Sequence, residues 1–133
     1  MDDSWLLFVL TIVDSEKPLK LHDMKLYGIR LRNALNISVL SSSFKRTTIQ
    51  ECNNITLRNI EIGKELFLMN CNDLFLINCK IDILYLNHVK NSQIIDSTIK
   101  KLINNSSDNI VKFHDAVIDK NLTKIEKYQY APF

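Results

Sequence analysis

The feature that most constrains this chain is a repeat. The segment 36–44, NISVLSSSF, returns eighteen residues on as 54–62, NITLRNIEI, and nineteen beyond that as 73–81, DLFLINCKI. Two further steps of eighteen give 91–99, NSQIIDSTI, and 109–117, NIVKFHDAV; one step back gives 18–26, PLKLHDMKL. The intervening halves repeat as well: 29–36 IRLRNALN, 47–54 TTIQECNN, 66–73 LFLMNCND, 84–91 LYLNHVKN and 102–109 LINNSSDN. The single nineteen-residue step falls at Gly63, where a bulge takes up one extra residue without a side-chain clash.

Each unit holds two apolar-x-apolar segments between polar corners, the two-residue period of a strand. Helical repeats need about 33 residues or more, and leucine-rich repeats about 20–29 with a consensus absent here. The remaining solution is all-β: one single-domain parallel β-solenoid of about six rungs over residues 18–117, each stacked about 4.8 Å from the last. Residues 1–17 and 118–133 are assigned as its N-terminal cap and its C-terminal cap or arm, because bare solenoid ends expose unpaired backbone.

The columns agree with this reading. Leu21, Val39, Leu57, Leu76 and Ile94 stack in one, and Leu19, Ile37, Ile55, Leu74, Ser92 and Ile110 in another. Leu26, Phe44, Ile62, Ile81, Ile99 and Val117 make a third, and Leu31, Ile49, Leu68 and Leu86 a fourth. Ala34, Cys52, Cys71, Val89 and Ser107 form a small-residue column at a corner. Like-on-like columns let stacked rungs bury apolar surface that one rung alone cannot.

Asn36, Asn54, Asp73, Asn91 and Asn109 share one corner site. Asn tolerates left-handed backbone, and its amide can bond to the next rung. This resembles the asparagine ladder of right-handed parallel β-helix proteins, a likeness of architecture over residues 18–117 and not of one family.

With 46% apolar and 24% charged residues, 133 residues suffice for one packed core. A net charge of +2 is too small to imply a nucleic-acid or anionic-membrane partner. The apolar run 5–13 is far short of the ~20 residues of a spanning helix, and it follows Asp2 and Asp3 where a secretory signal is basic. Three cysteines without a dense framework point to free thiols and a cytoplasmic setting. The Asn, Ile, Lys and Leu bias suits a small viral or mobile-element protein from an AT-rich genome.

The most chemistry-like group is Asp96, His114 and Asp115. At a spacing of eighteen, Asp96 and His114 share a column, and a carboxylate beside an imidazole serves proton transfer. Stacked carboxylates about 5 Å apart also suit a retaining glycosidase. Every member of that column is polar or small, so a solvated corner ladder is the plainer reading. Cys52 and Cys71, with Cys79 and His88 nearby, read as small buried filler; no metal site or cofactor is expected, and no phosphate- or dinucleotide-binding motif occurs. Lys45-Arg46 and Lys100-Lys101 read as solvated corners.

If Leu74 and Leu76 face inward, then Phe75 and Ile77 face outward, joined by Ile95, Val111 and Phe113, with Leu40 extending the stripe. Phe67, Tyr85 and Ile103 form a shorter outward column on another side. An apolar strip on a solenoid face marks a contact surface. The expectation is a non-catalytic module that binds a second copy of itself, most simply as a homodimer, or another protein. The alternative is a small carbohydrate-active β-helix enzyme or glycan-binding module using Asp96, His114 and Asp115.

Overall fold

The computed structural model describes residues 8–123. They hold strands β1 (Val9–Val13), β2 (Leu19–His22), β3 (Lys25–Arg32), β4 (Leu35–Gln50), β5 (Asn53–Ile77), β6 (Lys80–Lys90), β7 (Ser92–Ile95), β8 (Thr98–Asn104), β9 (Val111–His114) and β10 (Val117–Thr123), and no helix. Every strand pairing is parallel and joins residues eighteen or nineteen apart. The chain is therefore a β-solenoid of about six turns.

The turn that starts at Ile37 shows how the pattern closes a coil. Its inward residues are Ile37, Val39, Ser42, Phe44, Thr47, Ile49 and Cys52, all buried. They lie two apart along a side, as in any strand, and three apart across a corner. Left-handed backbone makes most of these corners. Fifteen non-glycine residues have φ between 49° and 61°, and no glycine does. They fall into three columns: Asp14, Asn33, Glu51, Asn70, His88; Asn36, Asn54, Asp73, Asn91; and Asp23, Ser41, Asn59, Asn78, Asp96, Asp115. Twelve of the fifteen are Asn or Asp, the types that enter this region most readily. The corner at Lys45–Arg46 uses no left-handed residue, and there β5 carries its extra residue opposite, between Ile62 and Glu65.

A second device completes the corners. Ser42, Ser92 and Ser97 each follow a left-handed residue and turn their hydroxyls inward. Each hydroxyl donates to the carbonyl two residues back (Leu40, Lys90 and Ile95, all 2.9 Å) and accepts from a backbone N–H one turn earlier (Met24, Leu74 and Cys79, all 3.0 Å). Cys52, Cys71 and Cys79 repeat the first half of the arrangement, their thiols reaching Gln50, Met69 and Ile77 carbonyls at 3.2, 3.1 and 3.5 Å. One small inward donor thus satisfies backbone groups that a bend takes out of the ladder.

Three details differ from the repeat as read. The chain takes a second nineteen-residue step late on: Leu86 faces Asn104 at eighteen, whereas Ser92 faces Val111 and Ile99 faces Ile118 at nineteen. The extra residue sits in the polar stretch 105–110, so Ile118 replaces Val117 in the third inward column and Val117 points to solvent. The expected caps also shrink. Val9–Val13 and Leu19–His22 already form the first turn, and Val117–Thr123 continues the last. The remaining cap assignments, 1–7 and 124–133, lie outside the described residues. Gly63 is at the bulge, but a Cβ there meets its nearest neighbour, Lys45 Cδ, at an ordinary 3.4 Å. The bulge therefore does not depend on glycine.

The main core runs the length of the coil, and Phe67, Tyr85 and Ile103 form a second buried cluster on the outside of one side. Phe67 and Tyr85 stack there with ring centres 4.4 Å apart and planes 7° from parallel.

Two substitutions test the corner chemistry by urea unfolding. Ser97→Ala strands Cys79 N–H and Ile95 C=O and lowers stability by about 1–3 kcal/mol, while Ser97→Cys, which keeps a donor of the kind used at Cys79, loses less. Thr47 is fully buried with an unpartnered hydroxyl, so Thr47→Val raises stability by about 1 kcal/mol; a loss would mean that the hydroxyl is satisfied.

Candidate functional site

The late nineteen-residue step rearranges the expected acid–imidazole group. Ile95, not Asp96, stands opposite His114, and Asp96 N–H donates to the His114 carbonyl at 2.9 Å. The same corner bond, from a left-handed residue to the carbonyl one turn on, ties Asp23 to Leu40 and Asn78 to Ile95. Asp96 therefore stacks on Asp115, both left-handed (φ 50° and 52°) and both exposed. His114 belongs to the neighbouring outward column. Asp96, His114 and Asp115 do not assemble as a carboxylate–imidazole pair; what the corner presents is two carboxylates in open solvent.

The same shift divides the expected interface. Phe75, Ile77 and Ile95 face outward and are half-buried, as is Leu40. Val111 and Phe113 line up instead with Ser92 and Ile94, both inward residues, so they belong to the open face of the last turn. In the outward column, Arg58 separates Leu40 from Ile77. The apolar patch is thus Phe75, Ile77 and Ile95, with basic groups at its rim: Arg58 on one side, Lys112 and His114 on the other.

The ladder forms in part. Asn36, Asn54, Asp73 and Asn91 are all left-handed, and Asn54 Nδ2 donates to Asn36 Oδ1 at 2.7 Å. A second ladder runs up the opposite corner, where Asn78 Nδ2 donates to Asn59 Oδ1 at 2.6 Å. Asn109 leaves its assigned place. Its Oδ1 accepts from Val89 N–H at 2.7 Å and its Nδ2 donates to the Leu86 carbonyl at 3.0 Å, so one side-chain amide stands in for a peptide group of the interrupted turn.

Beside Asn109 is a cluster that the sequence reading passed over. His88 Nδ1 lies 2.8 and 2.9 Å from the two Asp108 carboxylate oxygens and 3.1 Å from Ser106 Oγ. Ser106 Oγ also donates to Asp108, and Lys90 Nζ is 3.8 Å from it. Asn70 and Asn72 complete a shallow open depression with His88, Lys90 and Asp108. The Ser106 and His88 hydrogen bonds hold the Asp108 carboxyl down at about 2. A serine relay needs its hydroxyl and its carboxylate on opposite ring nitrogens. Here both meet Nδ1, so the group pins the 105–110 loop and does not activate Ser106. One signal pointed to it: apolar alternation fails at 104–109, NNSSDN.

The cysteines are structural. Burial pushes the Cys71 thiol up to about 12 and that of Cys79 to about 11, and raises Cys52 as well. Thiols held in this state are poor nucleophiles and poor ligands. Among the described residues no group of three or more His, Cys, Asp or Glu can hold a metal ion, and no helix is long and apolar enough to cross a membrane. Comparison with protein-family models, curated proteins and solved structures found no match.

The pinned loop has a pH signature. A lowered carboxyl contributes stability above its ordinary value of 3.8, and that contribution disappears as pH falls toward about 2. Asp108→Asn is therefore less stable than wild type in thermal unfolding at pH 6 and equal to it at pH 2. A difference that persists at pH 2 would assign the loss to something other than the carboxylate.

Proposed function

We propose that this protein is a non-catalytic β-solenoid module that self-associates through the outward side carrying Phe75, Ile77 and Ile95. That apolar centre with a charged rim carries the reading, because it has the anatomy of a protein contact surface. Charge placement favours a second copy as the occupant. A two-fold axis lying across the face at Ile77 sets the turn of Arg58 opposite the turn of Ile95 and Asp96. Each Arg58 then meets the partner's Asp96, giving two ion pairs around one apolar centre. Such an isologous contact closes at the dimer. The proposal includes an intracellular setting, which the three unpaired, buried thiols support.

Light scattering at low micromolar concentration tests this directly. The expected mass is about twice the 15.5 kDa of one chain, falling to that of one chain in Phe75→Lys/Ile95→Lys with the far-ultraviolet spectrum unchanged. Arg58→Asp weakens the dimer, and adding Asp96→Arg restores it. A dimer indifferent to all of these changes places the contact elsewhere, and a wild-type monomer at these concentrations removes the reading.

A further inference from the structure

We propose that the two ends of the coil are complementary, so that copies stack head to tail along the solenoid axis, independently of the lateral contact. All the exposed large hydrophobic residues among those described lie in the end turns: Phe8, Val13 and Leu19 at one end, Ile110, Phe113, Val117 and Leu122 at the other. Leu19 and Phe113 are the telling pair. Both occupy inward columns whose members in the middle turns, such as Ile37 and Ile94, are buried, yet they are 38% and 37% exposed. What they lack is the next turn. Among the described strands, β1 pairs with β3 alone, β2 with β4, β9 with β7 and β10 with β8, so each end turn also presents one unpaired ladder edge.

The occupant is read from the shape of the vacancy. The last turn calls for a parallel strand with two inward apolar residues two apart, then a left-handed acidic or amide corner. The first turn of the same chain supplies Leu19, Leu21 and Asp23, the last of these left-handed at φ 57°. Placed one rung spacing beyond β9, Leu19 continues the Val111 column and Leu21 the Phe113 column. The seam then repeats the interface that already joins every pair of turns within the chain.

Two like-charge contacts arise at this seam, Lys20 over Lys112 and Asp23 over Asp115. The fold already accepts both kinds: Lys120 stacks on Lys101, and Asp115 follows Asp96 at one corner. They set a sign instead of a veto, since screening exposed like charges makes stacking stronger as salt rises. A head-to-tail contact whose operator does not close extends without limit, unlike a two-fold one.

The full chain is measured by sedimentation and light scattering from low to high micromolar concentration, with and without added salt. Wild type is expected to gain more than twofold in average mass across the series, and more in salt. Leu19→Ser and Phe113→Ser, each blocked at one end, lose this growth, while an equimolar mixture of the two associates further than either alone. Serine is chosen because Ser92 already sits in the Leu19 column. Phe75→Lys/Ile95→Lys halves the mass at each concentration and leaves the growth intact, which separates failure of the lateral reading from failure of this one. Should a serine variant not fold, small-angle scattering of wild type decides, with the longest dimension growing at constant cross-section. A mass constant with concentration, as when residues 1–7 or 124–133 cover the ends, overturns the proposal; so do growth unaffected by either variant and single variants that pair without benefit from mixing.

Discussion

The structure depends on bending a β-chain sharply, several times per turn, while keeping every turn in register with the next. Most of these bends use left-handed backbone, which costs an ordinary L-residue about 1–2 kcal/mol. Glycine would avoid the strain but raise the entropic cost of ordering the chain by about 0.5–1 kcal/mol at each position. This chain uses Asn and Asp instead, and recovers part of the cost by bonding one corner to the next, as between Asn54 and Asn36 and between Asn78 and Asn59. Corner N–H groups reach carbonyls one turn on, and inward serines and cysteines take up the carbonyls left at the bend. The abundance of asparagine thus has a structural use whatever the base composition of the genome, and it is weak evidence of origin.

Because turns touch only their neighbours, an added residue moves everything beyond it and leaves everything before it alone. The two interior insertions show both outcomes. At Gly63 the extra residue is absorbed within a corner, and inward columns resume in phase at Leu66 and Leu84. In 105–110 the extra residue forms a loop that needs its own support, supplied by Asn109 acting as a peptide surrogate and by the His88–Ser106–Asp108 pin. Alternation in a strand has a period of two, so a single-residue shift exchanges inner and outer faces. That exchange sends Phe113 to the core column and His114 to the surface.

The solenoid, most of its columns and two of its corners were legible in the sequence because they recur, and recurrence averages out local noise. The last turn was misphased because Asn109 matches Asn91 by identity, and that match outweighed a better one. Aligned at nineteen, Asp96 meets Asp115 and Ile99 meets Ile118, which restores both a corner and an inward position. The His88–Asp108 contact was illegible for a different reason. It joins a repeat position to a residue inside an insertion, and no periodicity predicts where an insertion folds. The role of the inward cysteines was half legible: their size was apparent, whereas the hydrogen bond from each thiol to a carbonyl two residues back requires knowing that a left-handed residue intervenes.

Rung stacking consumes the inward columns, so their composition reports on folding and says little about partners. Selection for a partner can act only where a side chain leaves the coil, on the outward columns and at the two ends. Along the side that carries the proposed contact, one outward column reads Lys20, Ser38, Thr56, Phe75, Gln93, Lys112 and its neighbour His22, Leu40, Arg58, Ile77, Ile95, His114. Neither follows the like-on-like rule of the core. Both turn apolar in the fourth turn and the second holds this into the fifth, while both end in basic or imidazole side chains. A solvated face gains nothing from such a change at mid-length, since Phe75 and Ile77 lose hydration without adding to the core. The departure from repetition is local, centred and rimmed by charge. In a molecule built from repetition, that is where a contact with something outside the coil is expected to be written.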